Sequence, residues 1–152
     1  AAAAQLTSRH HRSRPRYLAE LLLNTTLIAG SANLINLLDL RPGRALKASG
    51  MVAGIVSVTS KARAAELAAA TCGVVAAAWP DDLAERTTLG DTGANALGAA
   101  VGTALVAGSR LPARSVAAAG VIALTLLSER VSFSQLIDDI PALHALDSWG
   151  RR

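Results

Sequence analysis

From Leu18 to Leu40 the chain runs for 23 residues whose only charged or amide side chains are Glu20, Asn24, Asn33, Asn36 and Asp39. The hydrocarbon core of a bilayer takes roughly 20 helical residues to cross, so this run is long enough to span one. Asn33, Asn36 and Asp39 follow one another at intervals of three, and residues three apart are neighbours on a helix surface. They therefore form one polar stripe. Amides and a carboxylate are costly to hold in hydrocarbon, so the stripe is expected to face a bundle interior or a watery cleft. Interhelical hydrogen bonding explains Asn33 and Asn36 as well as a role in a site does.

Arg41-Pro42-Gly43-Arg44 closes this helix, since proline cannot continue the ladder and glycine permits the reversal. Four more apolar runs follow: Ala45 to Ser60, Ala64 to Trp79, Ala94 to Gly108 and Ser115 to Leu127. The second run contains Gly50-x-x-x-Gly54 and the fourth Gly98-x-x-x-Gly102, a spacing that lets helices approach closely. Trp79 and Pro80 suit an interfacial helix end. Asp81 to Asp91 reads as a polar loop. Several of these runs are nearer 15 residues than 20, which suits a soluble alanine-rich bundle. Composition favours the membrane: 51% of residues are apolar, 17% charged and only 3% aromatic. The charges cluster between apolar runs rather than along helix faces. The expected fold class is all-α: a polytopic membrane bundle of about five helices, the second half of a larger bundle. A basic polar segment at 1–16 precedes the bundle at 17–128, and a cytoplasmic tail occupies 129–152. The first segment is expected to be interfacial or disordered, and the tail amphipathic.

The net charge is +4. In a soluble chain that excess would suggest nucleic acid, but no aromatics interleave with the basic clusters to stack on bases. The clusters (Arg9 to Arg16, Arg41 to Lys47, Lys61 with Arg63, Arg110 with Arg114, Arg151 with Arg152) punctuate the apolar runs instead. Headgroup contact and topology setting explain them better, and no nucleic-acid partner is expected. Cys72 is the single cysteine, so an intramolecular disulfide is ruled out. Five alternating crossings put Asp39 and the Asp81 to Asp91 loop on one face. The excess of Arg and Lys on that face makes it the cytoplasmic one.

The second acid-bearing segment is Gly90-Asp91-Thr92-Gly93-Ala94-Asn95, about fifty residues beyond Asp39. With Asn33-x-x-Asn36-x-x-Asp39 ending one helix and Gly90-Asp91-Thr92-Gly93 opening another, the chain from Leu18 to Leu127 resembles the polyprenyl-phosphate sugar-1-phosphate transferases. That family includes phospho-N-acetylmuramoyl-pentapeptide transferase. The resemblance implies a transferase of the cell inner membrane with a cytoplasmic active face. It would move a sugar-1-phosphate from a UDP-sugar donor to a polyprenyl-phosphate acceptor, using Mg2+, in cell-envelope polysaccharide synthesis. It further implies catalytic roles for Asp39 and Asp91, with Asp91 a metal ligand. Asn33, Asn36, Arg41, Arg44, Lys47, Gly90, Gly93 and Asn95 would line the substrate and phosphate site.

The chemistry fits those residue types. Joining two phosphates requires their repulsion to be neutralised, which carboxylate-held magnesium does. Glycines allow close backbone approach, and a helix N-terminus at Ala94 would offer free N–H groups to an anion. Each assignment has a plainer counterpart: an N-cap for Asp91, headgroup anchoring for Arg41, Arg44 and Lys47.

The chain also departs from the family pattern. No paired-aspartate motif precedes Leu18, Pro42 replaces a second acid after Asp39, and Ser132-Phe133-Ser134 with Asp138-Asp139 stands where a histidine-rich sugar-recognition loop belongs. Asp81-Asp82 follows Trp79-Pro80 and is not assigned to the site. The chain thus resembles a C-terminal half, inactive alone and needing an N-terminal half or another membrane subunit. The alternative is a family-derived scaffold or binding subunit in envelope assembly that has lost catalysis.

Overall fold

The computed structural model describes Ala3, Leu6, Thr7, residues 13–60 and residues 62–150. Arg9, Lys61, Arg151 and Arg152, counted above among the basic clusters, lie outside the described residues, as does most of the 1–16 segment. Among the described residues the fold is all-α, with five long helices and two short ones. They are α1 (Arg14–Leu38), α2 (Arg44–Thr59), α3 (Arg63–Leu83), α4 (Gly90–Gly108), α5 (Leu111–Ser128), α6 (Phe133–Asp139) and α7 (Pro141–Ser148).

Three boundaries differ from the sequence expectation, each for a local reason. Helix α1 starts at Arg14, with Pro15 in its first turn, where proline's missing N–H would have had no partner anyway. Helix α3 continues through Pro80 to Leu83 instead of ending at Trp79. The proline forfeits one backbone bond there, and the turn beyond it is held by Ala84 N donating to the Pro80 carbonyl at 3.3 Å. Helix α4 opens at Gly90 rather than Ala94, so Asp91 lies within its first turn.

The long helices alternate in direction, and the contacts give their register. A Cβ on Gly98 would lie 2.5 Å from the Ser31 carbonyl oxygen, and one on Gly102 would lie 2.8 Å from Ile28 Cα. Residue number rises along α4 as it falls along α1, so the pair is antiparallel with backbones almost touching. Extending that register brings Asp91 level with the last turn of α1. Val56 and Ala104 pack with Ala68 in one cluster, and Leu46 and Leu97 with Val75 in another. Helices α2 and α4 therefore run parallel, with α3 antiparallel to both. Helix α5 packs mainly on α1, through Leu27, Ala118 and Val121, with Val106 of α4 in the same cluster. One end of the bundle thus gathers the C-termini of α1, α3 and α5 with the N-termini of α2 and α4.

The two small-residue motifs behave differently. Gly98 and Gly102 bring α4 against the backbone of α1, whereas Gly50 meets only a Val75 methyl at 3.2 Å and Gly54 meets nothing within 4 Å.

Helices α1 and α5, of 25 and 18 residues, are long and apolar enough to cross a membrane, and only 11% of the α5 window is buried within the chain. Val116 is 74% exposed and Leu126 57%, so α5 is not buried in the core of this chain. Its outer face is greasy. At the opposite end from the α1 C-terminus, Asn24 is fully buried. Its amide nitrogen donates to Thr7 Oγ1 at 3.0 Å, and its oxygen accepts from Arg114 Nη1 at 3.4 Å. Thr7 is itself buried, so this part of the 1–16 segment packs on the bundle.

Candidate functional site

The turn between α1 and α2 is the keystone of the crowded end. Asp39 follows the last residue of α1, its N–H donating to the Asn36 carbonyl at 3.1 Å. Gly43 then adopts φ +77°, a left-handed conformation that favours glycine, and a Cβ there would sit 2.5 Å from Leu83 Cδ2, so the leucine side chain would have to shift. The Gly43 N–H donates to Asp82 Oδ2 at 2.6 Å. Asp82 is 5% exposed, so α3 reaches across and clamps the turn through a buried carboxylate.

This clamp is the residue that sequence reasoning missed. Once α3 is extended through Pro80, Asp82 continues the buried stripe of Ala64, Ala68, Thr71 and Val75, which recurs with helical period. The pattern was present, and the proline concealed it.

Around the turn lies an open cleft of 320 Å³, lined by Asp39, Leu40, Arg41, Pro42, Asp82, Glu85, Thr87 and Thr88. Burial pushes the Asp39 carboxyl above its ordinary value, and the Asp82 charge adds to the rise; the Gly90 backbone N–H pulls it back, while the Asp91 charge raises it again. Asp39, Asp82, Asp91 and the start of α4 are therefore within electrostatic reach of one another. Like charges so gathered attract a cation. Glu85, just past the C-terminus of α3, takes φ +56° as the left-handed residue of the helix-ending turn: its N–H donates to the Asp82 carbonyl at 3.1 Å and the Arg86 N–H to the Asp81 carbonyl at 2.9 Å.

The expected site residues divide clearly. Asp39 and Asp91 come to one end, with half-buried Asn36 beside Asp39. Asn33 is exposed, about 200° around the helix from buried Ser31 at 3.6 residues per turn. Asn33 therefore faces out of the bundle, because the apolar seam against α4 takes the Ser31 and Ile35 side, while half-buried Asn36 and Asp39 stay at the bundle's end. The N-cap explanation for Asp91 fails, since Leu89 holds that position without a side-chain cap. Asn95 turns its amide back to the Asp91 carbonyl at 2.7 Å. A Cβ on Gly93 would meet Leu89 at 3.3 Å, and Gly90, at φ +60°, has open space around it. Gly90 thus leaves room for close approach, while Gly93 makes room for a neighbouring side chain.

The three cations are already engaged. Arg41 pairs with Asp138 through two hydrogen bonds at 2.9 and 3.0 Å. Arg44 forms a bidentate pair with Asp147 at 2.8 and 3.0 Å and also donates to Ser134 Oγ at 3.0 Å. Lys47 Nζ donates to the Asp147 carbonyl at 2.5 Å. Trp149 lies against Trp79, ring centroids 5.8 Å apart. The tail expected to be merely amphipathic is folded over the basic turn.

Magnesium needs only one or two carboxylates, completing its shell with water and substrate phosphates. Among the described residues no three acidic, histidine or cysteine side chains form a closed ion cage. The Asp39–Asp91 end suits the open kind of site. Comparison with protein-family models, curated proteins and solved structures gives no match to this chain.

Proposed function

We propose that the chain is the membrane-embedded, acid-bearing part of a magnesium-dependent transferase that passes a sugar-1-phosphate from a UDP-sugar to a polyprenyl phosphate. The observation that carries this reading is the meeting of Asp39 and Asp91, about fifty residues apart, at one end of the bundle beside a cleft edged by Arg41. Acids for a divalent cation and guanidiniums for phosphate then stand side by side. That pairing suits an exchange between two phosphorylated substrates, whose mutual repulsion must be neutralised.

Asp39 and Asp91 would hold the ion, which would neutralise phosphate charge. Asp82 fixes the turn that sets Asp39 and Arg41 relative to each other. In the transfer, a lipid-phosphate oxygen forms a bond to the sugar-linked phosphorus as its bond to the UMP oxygen breaks, and UMP departs. The polytopic arrangement and the cytoplasmic orientation belong to this same reading, with α2, α3 and α4 completing the crossings around α1 and α5. An N-terminal half or partner subunit would supply the rest of the site.

The test is magnesium-dependent exchange of labelled UMP into UDP-sugar by membranes containing the chain and its partner subunit. Loss of exchange in Asp91→Asn with retained membrane insertion supports the reading. Exchange that ignores both magnesium and this substitution refutes it. One observation favours a non-catalytic scaffold instead: Arg41 and Arg44 are paired to tail carboxylates. Retained assembly of envelope enzymes in a chain lacking exchange would identify that role.

A further inference from the structure

The tail meets the bundle in two chemically distinct ways. Its carboxylates Asp138 and Asp147 take up the guanidiniums of Arg41 and Arg44, both bidentate. Its apolar residues Ile137, Leu143 and Leu146 close an apolar slot of 150 Å³ against Leu38, Ala48 and Met51, with Arg44 and Lys47 on the same wall. Anion first, grease behind: the tail presents to this surface what a phosphate-headed lipid would present. A bidentate carboxylate and a phosphate are recognised by arginine through the same fork geometry.

The inner pair is buried, with Arg44 5% and Asp147 4% exposed. A buried guanidinium cannot lose its anion without a replacement or water, because an uncompensated buried charge is costly. The outer pair, Arg41 with Asp138, is more than a third exposed on each side, so it is screened and weak. The strap therefore has a loose end at Asp138 and a firm one at Asp147. An incoming anion can take Arg41 before it displaces the tail from Arg44.

We infer that residues 133–148 are an internal competitor, a strap that occupies the site of a phosphate-headed amphiphile and is displaced when one binds. The inference rests on the reading that Arg41, Arg44 and Lys47 take phosphate, and it adds that the resting chain holds this surface closed. A closed state populated to about 90% weakens apparent affinity about tenfold.

The chain carries two tryptophans, Trp79 and Trp149, and they touch, so intrinsic fluorescence reports the strap directly. The full chain in neutral detergent is titrated with polyprenyl phosphate, inorganic pyrophosphate and neutral polyprenol. Fluorescence and amide exchange of residues 133–148 are followed, and binding is measured separately by calorimetry. Polyprenyl phosphate is expected to change the fluorescence and raise exchange in the strap, and Asp138→Asn to bind it several-fold more tightly. Asp138→Asn with Asp147→Asn is expected to reach about tenfold. Because Asp138 is surface-exposed, the single variant remains informative if the double variant misfolds.

An equal response to pyrophosphate supports the competitor and identifies a free anion as the displacing species. Calorimetric binding of lipid phosphate with an unmoved strap overturns the competitor and leaves the phosphate reading standing. Absence of binding in wild type and both variants overturns both. Displacement by neutral polyprenol alone overturns the anion competition.

Discussion

Gly98→Ala and Gly54→Ala are the same change in two motifs of the same spacing, and the structure gives them opposite signs. The new methyl at Gly98 would stand 2.5 Å from the Ser31 carbonyl oxygen, 2.7 Å from Ala32 Cα and 3.0 Å from Ala32 N. All three are backbone atoms of α1, so no rotamer change relieves the clash, and the helix must retreat by about 1 Å to restore ordinary contact. Such a gap forfeits roughly a quarter to a half of each affected dispersion contact. Overpacking of this kind costs about 1–3 kcal/mol, and a rigid neighbour puts Gly98 at the upper end. Alanine returns about 1 kcal/mol of helix propensity, leaving about 2 kcal/mol of destabilisation. Gly54 has nothing within 4 Å, so there alanine contributes only the propensity gain of about 1 kcal/mol. At about 2–4 °C per kcal/mol for a chain of this size, thermal unfolding in detergent, followed by circular dichroism, should fall by about 6 °C for Gly98→Ala. It should rise by about 3 °C for Gly54→Ala. The α1–α4 seam also sets the Asp39–Asp91 relation, so UMP exchange should fall in the first variant and hold in the second. Shifts of the same sign would refute the close-approach argument.

Asp39→Asn is expected to raise the melting temperature without magnesium at pH 7 and to abolish stabilisation by added Mg2+. The folded state holds Asp39 above its ordinary value through burial and the Asp82 charge. Its ionisation therefore costs stability above the folded pKa, and the cost is relieved as pH falls towards the unfolded value of 3.8. Because protons and magnesium compete for this carboxylate, Mg2+ stabilisation, measured by thermal shift, should weaken as pH drops through that window. Glu85→Gly removes the positive-φ penalty and should stabilise the chain by about 1 kcal/mol in denaturant unfolding, while lowering exchange if the carboxylate serves the cleft. Asp82→Ala leaves the buried Gly43 N–H without its acceptor and should cost about 1–3 kcal/mol, with faster amide exchange at Gly43; Asp82→Asn, which keeps an acceptor oxygen, should cost less.

How much of this was legible beforehand depends on the range of the forces involved. The all-α class, the five long helices and the break at Arg41 to Arg44 follow from apolar run length, helix propensity and the backbone limits of proline and glycine, all local properties of the chain. The meeting of Asp39 and Asp91 was also within reach, because alternating helices joined by short turns leave little choice of end. Asp82 was missed because Pro80 imitates a helix stop, and the cost of one lost backbone bond is decided by what the next turn contacts. Asn33 was expected in a bundle interior or a watery cleft, and its exposure could not be foreseen, because spacing reveals that residues share a stripe and not which way the stripe faces. That direction was set by Gly98 and Gly102, which draw the Ser31 side of α1 against α4. The strap was beyond sequence reasoning altogether: Arg44 and Asp147 are about a hundred residues apart, and charge pairing carries no periodic signature. Composition and local stereochemistry determined which segments are helices; tertiary packing alone decided which helix faces close together and which anions the arginines hold, because those energies exist only between segments distant along the chain.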